Sequence, residues 1–344
     1  MLGNALARAP TMSAEKGLRR SGPYPVAVAE AVSAPAPLPA IEVVADLGMR
    51  LRDNMRLGVH LPAGVLDVVL ASLLAGGHLL VEDHPGVGKT QLARTIARSL
   101  ATRFSRVQAT VDLLPSDIVG ANIWRPEIGA FEFQAGPVFA HVLLVDELNR
   151  ATPKTQSGLL EAMQEEQVTV DGESLRLPSP FMVIATQNPS AGYDGTYPLP
   201  PAQLDRFLAR VSLGYPTPEQ EVAVLSGGAM NVSPVTSPME LRLAQQTVES
   251  VHTSQALLHY VVALLVATRE HPLVEVGASP RAGLQLLAAA RAHAAIAGRD
   301  FVVPDDVQAM APAALQHRLQ LAAPATIGAA EKVVADVLTQ VPAR

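Results

Sequence analysis

The stretch His78-Leu79-Leu80-Val81-Glu82-Asp83-His84-Pro85-Gly86-Val87-Gly88-Lys89-Thr90 leaves few choices for the fold around it. Leu79 to Val81 is a short apolar run, a turn follows, and Gly88-Lys89-Thr90 opens a helical pattern through Leu92, Ala93, Ile96, Ala97 and Leu100. The reading is strand, loop, helix. Such a loop wraps backbone N–H groups around a phosphate chain at the positive end of a helix. Gly86 and Gly88 let the backbone come close, Lys89 reaches the outer phosphates, and the Thr90 hydroxyl can ligate Mg²⁺. Pro85, Gly86, Val87, Gly88, Lys89 and Thr90, with Gln91 behind them, are the expected phosphate cradle. The phosphate-loop pattern asks for one further glycine where this chain has Asp83. An acid so close to phosphate is tolerated only if its side chain turns away, and that is the expectation here. The plain alternative is a Gly-Lys turn between a strand and a helix.

A second motif is Val142-Leu143-Leu144-Val145-Asp146-Glu147, four apolar residues of a buried strand delivering two carboxylates at its C-terminal edge. Open α/β sheets bind ligands at that edge. Asp146 is placed to hold a Mg²⁺ shell, and Glu147 to polarise a water against a terminal phosphate. Phe181 to Thr186 is a further buried strand that brings Gln187 and Asn188 to the same edge. Asn188 could orient the attacking water, or it is a turn-forming residue ahead of Pro189.

Between and beyond these motifs the chain changes character several times. Residues 1 to 40 are rich in Ala and Pro with little periodicity, which reads as a flexible tail. Amphipathic helices follow at 41 to 57 and 65 to 74, the second closed by Gly76-Gly77. Arg106 to Ala109 reads as a short strand, and Arg94, Arg98, Arg103 and Arg106 as a solvated face. Residues 113 to 137 hold a turn and an inserted hairpin, with strands at 121 to 124 and 131 to 134. Thr152 caps a helix beginning at Pro153, and Asp171-Gly172 turns a second tight hairpin. Arg210 to Leu213 is a last strand. Past the Gly227-Gly228 hinge the periodic segments 239 to 251, 254 to 270 with Ser254 as cap, 280 to 297 after Ser279, and 304 to 320 all read as helix. The expected organisation is a tail over 1–40, an α/β nucleotide-binding core over 41–228 and an all-helical domain over 229–344.

Composition narrows the function classes. A net charge of −6 with no basic or aromatic tract argues against a nucleic-acid surface. The chain has no cysteine, which removes thiol chemistry and fits a reducing, cytoplasmic compartment. No apolar run has the length of a membrane span. The nine histidines show no metal-binding spacing.

Taken together, Gly86-Val87-Gly88-Lys89-Thr90, Val145-Asp146-Glu147-Leu148-Asn149-Arg150-Ala151, Ala185-Thr186-Gln187-Asn188-Pro189, Ala202-Gln203-Leu204-Asp205-Arg206-Phe207 and Ser279-Pro280-Arg281 resemble the MoxR family of AAA+ ATPases. The resemblance spans roughly residues 45 to 320, through Val303-Pro304-Asp305-Asp306-Val307 and His317-Arg318. It implies a P-loop αβα core with a parallel sheet, followed by a helical lid. It implies ATP and Mg²⁺ as cofactors, a hexameric ring, protein clients, and a separate von Willebrand factor A domain protein as partner. By that likeness Asn188 matches the sensor-1 position and Arg281 the sensor-2 position. Arg206 is the candidate arginine finger, its alternative being a helix-capping surface arginine. Both hairpins look like insertions that face a ring pore. The family's Gly-Gln segment before the first core helix reads Gly58-Val59-His60-Leu61 here, so no adenine contact is carried over. The competing readings are a nucleic-acid-dependent motor on the same core, and a nucleotide-gated scaffold with little turnover.

Overall fold

The structure is a computed structural model and describes residues 19–21, 37–84, 86–188, 196–226, 231–322 and 328–343. Pro85 of the expected cradle, the Gly227-Gly228 hinge and residues 192–195 of the Gly/Tyr/Pro loop lie outside the described residues. Arg19–Ser21 (β1) falls within the expected tail and pairs in parallel with a later strand. Ile41–Gly58 (α1) and Ala63–Leu74 (α2) lead to Leu79–Glu82 (β2), Lys89–Ser99 (α3) and Phe104–Gln108 (β3). Pro115–Val119 (α4) replaces what the sequence suggested was only a turn, and runs into the hairpin Gly120–Arg125 (β4) and Ala130–Ala135 (β5). Val142–Asp146 (β6), Pro153–Glu165 (α5), the hairpin Gln167–Val170 (β7) and Glu173–Arg176 (β8), and Met182–Gln187 (β9) follow. Pro201–Leu204 (α6), Ala209–Val211 (β10) and Pro218–Leu225 (α7) close the core.

The central sheet is parallel, in the order β10-β2-β9-β6-β3. Side chains on a strand alternate between faces, and this sheet divides accordingly. Leu79, Val81, Leu144 and Ile184 pack with α1, α2 and α3, while Leu80, Leu143, Val145, Val183 and Ala185 pack with α5 and the hairpins. Both faces are covered, which explains why β6 and β9 read as continuous apolar runs rather than alternating ones. His78, just before β2, is buried between the layers. Its Nδ1 accepts from the Val183 N–H at 3.1 Å, so Nε2 carries the proton and donates to the Met163 carbonyl at 2.9 Å. Burial pushes this imidazole down to about 4. The hairpin turn carries the left-handed residues its Asp-Gly sequence calls for, Asp171 at φ 50° and Gly172 at φ 84°.

Beyond the core lie Pro238–Glu249 (α8), Gln255–Glu270 (α9), Val274–Val276 (β11), Pro280–Ile296 (α10), Pro304–Leu315 (α11), Gln320–Leu321 (β12) and Ala329–Gln340 (α12). This domain is helical, with one departure from the sequence reading. The expected helix over 304 to 320 stops at Leu315, and β12 pairs antiparallel with β11. The N-caps behave as read: Ser254 and Ser279 accept from the N–H groups of Leu257 and Ala282. The domain shares one apolar core with α1 to α3. It is also bolted to the core by Arg318, which is buried and bonds the Asp205 carboxylate at 2.7 Å and the Phe207 carbonyl at 2.6 Å.

Asp306 holds the helical domain's own tightest polar knot. Fully buried, it accepts two bonds from Arg299 at 2.7 and 2.6 Å, one from the Val303 N–H at 2.8 Å, and lies 2.7 Å from His293 Nδ1. Burial opposes its charge, but the bonds from Arg299, His293 and Val303 outweigh that and lower its carboxyl to about 2. A depressed carboxyl stabilises above its unfolded pKa and loses that contribution as pH falls through the folded one. Asp306→Asn is therefore expected to lower unfolding free energy by ~3 kcal/mol at neutral pH. The gap between variant and parent should narrow as pH falls from about 4 towards 2. Urea midpoints measured across that range check both the size and the sign.

Candidate active site

Five parallel strands with their C-terminal ends on one edge place the ends of β2, β6 and β9 side by side. The loop after β2 has to reverse direction over the edge and begin α3. It does so through Gly86 at φ 88° and Gly88 at φ 96°, conformations that a side chain strains. Gly88 is the N-cap of α3, so the first N–H groups of that helix open into the space above the sheet. Lys89 folds back over this loop, its Nζ donating to the Asp83 carbonyl. Burial lowers its ammonium pKa, against the opposing pull of Asp83, Asp146, Glu147 and Glu82. The Asp83 carboxylate bonds the backbone beyond β10 through one oxygen and the His84 N–H of the loop itself through the other, so it is only partly turned away, and Asp83 is one of the residues that line the space above the edge.

The space above the edge is a cavity of about 330 Å³ bordered by Gly86, Gly88, Lys89, Thr90, Asp146, Glu147 and Asn188. Lys89, Asp146, Glu147 and Asn188 thus border one cavity. Asp146 is nearly buried. Its Oδ1 accepts from the Thr186 hydroxyl at 3.3 Å and its Oδ2 from Arg106 at 2.6 Å. Glu147 leaves the strand in a left-handed conformation, φ 54°, fixed by its N–H donating to Thr186 Oγ1 at 2.9 Å. Its carboxylate pairs with Arg150 at 2.8 Å. Gln91 borders the cavity too, but its side-chain amide donates to the Gly58 carbonyl at 2.9 Å and ties α3 to the end of α1.

Arg94 and Arg106, read as part of a solvated face, are exposed as that reading has it, and both also border the cavity. Arg106 reaches it because β3 lies beside β6, with Gln108 opposite Asp146; a window on either strand alone carries no sign of that. Arg206 and Arg281 are not among the bordering residues. They lie close enough together that Arg281, after burial itself, is a cause of the lowered Arg206 pKa.

A magnesium ion fits the donors present. The Thr90 hydroxyl and Asp146 carboxylate are hard oxygen ligands, and no cluster of three acidic or histidine side chains exists among the described residues. That is the pattern of an ion held by one or two protein oxygens and completed by substrate phosphates.

Residues 78–209 match the family model described as ATPase family associated with various cellular activities (AAA), and residues 266–337 match the AAA lid domain. YeaC of Bacillus subtilis (strain 168) is 45% identical over 279 residues, covering 79% of this chain and 87% of YeaC. Chaperone MoxR1 of Mycobacterium tuberculosis is 44% identical over 271 residues, covering 75% and 71%. Protein MoxR of Paracoccus denitrificans is 32% identical over 312 residues, covering 81% and 91%. The chain belongs to the MoxR family of AAA+ ATPases. A crystal structure of a candidate ATPase from Cytophaga hutchinsonii superposes with a TM-score of 0.80 at 34% identity, covering 88% of this chain and 97% of that one. In this MoxR ATPase the αβα core and helical lid are therefore those of its relatives.

Proposed function

We propose that this MoxR-family ATPase hydrolyses ATP with Mg²⁺ as a six-membered ring and uses turnover to remodel or mature protein clients in the cytoplasm. One observation carries the reading. Lys89, Asp146, Glu147 and Asn188 border one cavity, while Arg206 and Arg281 lie outside it. A site with its own lysine and acids but without those arginines is suited to completion by a neighbouring subunit. Hydrolysis joins a water oxygen to the γ-phosphorus and breaks the bond to the β-phosphate oxygen. Glu147 takes the water's proton, Asn188 orients that water, and Lys89 leaves the Asp83 carbonyl for the phosphates. Thr90 and Asp146 would hold Mg²⁺, which when bound neutralises phosphate charge. To hold the ion, Asp146 would have to give up its contact with Arg106.

The client side of the reading rests on the hairpins. Trp124 and Phe131, 51% and 56% exposed, meet edge to face at 5.3 Å on β4 and β5, with Ile123 and Ile128 exposed beside them. Asn122 of that hairpin donates to Asp171 at the tip of the other at 2.6 Å, so the two projections are joined. Exposed aromatic surface of this kind marks contact sites, and the relative MoxR1 carries the name chaperone. A separate von Willebrand factor A protein as partner belongs to the same proposal. No helix among the described residues is long and apolar enough to cross a membrane.

The decisive assay is ATP turnover with Mg²⁺ or with chelator, repeated over a protein dilution series. Activity should require Mg²⁺, and specific activity should fall on dilution as rings come apart. Concentration-independent turnover would show that each chain is complete alone. Binding without turnover at any concentration would favour the scaffold.

A further inference from the structure

The residue that breaks the phosphate-loop pattern is built into more of the structure than the glycine it replaces could be. Asp83 is 5% exposed. Its Oδ2 accepts from the Leu213 N–H at 2.7 Å, the Gly214 N–H at 2.8 Å and the Ser212 hydroxyl at 3.0 Å, and its Oδ1 from the His84 N–H at 2.8 Å. Its own N–H donates to the Gln187 carbonyl at 3.2 Å, and its carbonyl receives Lys89. One residue thus touches the phosphate lysine with its backbone and the chain leaving β10 with its side chain. That chain turns at Gly214, φ 69°, towards α7 and the lid.

Glu82 makes a parallel connection. It accepts from Gln187, the neighbour of Asn188, at 3.1 Å and from Arg210 on β10 at 2.6 Å. Arg210 also bonds Glu331 on the lid helix α12 at 2.7 Å. Glu331 is about half exposed, so this pair is the weaker of the two links. The Asp83 bonds are buried and charge-assisted, the stronger kind. Despite burial, the N–H groups of Gly214, His84 and Leu213 and the Ser212 hydroxyl hold its carboxyl below the ordinary range, so it stays charged.

We infer that Asp83 is a positioning residue that couples the phosphate loop to the lid, with Glu82 and Arg210 as an auxiliary link. The inference rests on the proposed ATP reading of the loop. To meet a phosphate, Lys89 must leave the Asp83 carbonyl. The loop carrying that carbonyl is fastened through the same residue to the start of the lid connection, so a shift at one end is delivered to the other.

The chain has no cysteine, so Arg98→Cys on α3 and Gln340→Cys on α12 give two unique dye positions on exposed side chains in the full chain. Energy transfer between them is read with and without Mg²⁺ and ATP, while binding of a fluorescent ATP analogue is measured separately. In the parent, transfer should change on ATP addition. Asp83→Ala should bind the analogue within about threefold of the parent, lose more than about half of the transfer change, and lose about tenfold in kcat with KM little altered. Glu331→Ala, which leaves the loop untouched, should reduce the transfer change by a smaller amount. Parental transfer change in Asp83→Ala overturns the inference, as does loss of ATP binding in step with the transfer change, which marks a loop anchor only. If Asp83→Ala does not fold, Asp83→Asn and Glu331→Ala decide, and parental behaviour in both overturns it. A parent that binds ATP with unchanged transfer overturns the coupling alone. A parent that binds no ATP overturns the hydrolase reading as well.

Discussion

Glu147→Gln is expected to bind ATP as the parent does and to lose turnover by ~10²–10⁴-fold, the contribution of a positioned general base. Glutamine has the size and shape of glutamate but cannot accept the water's proton. Of the features that place residue 147, only the Arg150 ion pair depends on its charge. Its backbone is set by φ 54° and by the bond of its N–H to Thr186. The proposed phosphate contacts, Lys89 and the start of α3, are separate from residue 147, so binding should be spared. Single-turnover hydrolysis beside equilibrium ATP binding checks the prediction, and size-exclusion chromatography in ATP should show the assembled state retained. The same protein is then the reagent for capturing clients, because it holds ATP without consuming it. Turnover within about threefold of the parent would move the base to another residue.

How much of this site could be read in advance depended on how local each relation is. The turn after β2 was legible because Gly86, Gly88, Lys89 and Thr90 act within one short loop. The ends of β6 and β9 were legible because an apolar run followed by Asp146-Glu147 or Gln187-Asn188 states both burial and edge position. Helix starts at Thr152, Ser254 and Ser279 were legible because a cap is a bond over three residues. What was missed is non-local. Arg106 joins Asp146 only because β3 lies beside β6. Asp83 finds its partners beyond β10, about 130 residues along the chain. The β11–β12 pair joins segments on either side of two helices, and neither strand is long enough to show a period of two. Sequence patterning reports which face a residue presents; which element covers that face is set by topology.

Arg206→Ala should bind ATP normally and lose about a thousandfold in turnover, the scale of an arginine supplied to a neighbour's phosphates. Two readings of this residue compete on the structure itself. Arg206 donates to the Leu160 carbonyl inside α5 at 2.5 Å, a contact that a purely structural arginine also makes. Yet its Nε is buried without a hydrogen-bond partner, burial and the adjacent Arg281 lower its pKa, and it stands outside its own subunit's cavity. A residue serving only α5 gains nothing from the neighbouring like charge, whereas two arginines directed at a neighbour's triphosphate are both accounted for. Mixing separates the readings. Glu147→Gln chains retain Arg206, and Arg206→Ala chains retain Glu147, so each is inactive alone. In a randomly mixed ring about one interface in four joins an intact base to an intact arginine, and about a quarter of parental activity should return. If Arg206 acts on its own subunit, the mixture stays as inactive as its parts; if it only braces α5, Arg206→Ala alone keeps its turnover and shows a lowered melting temperature instead.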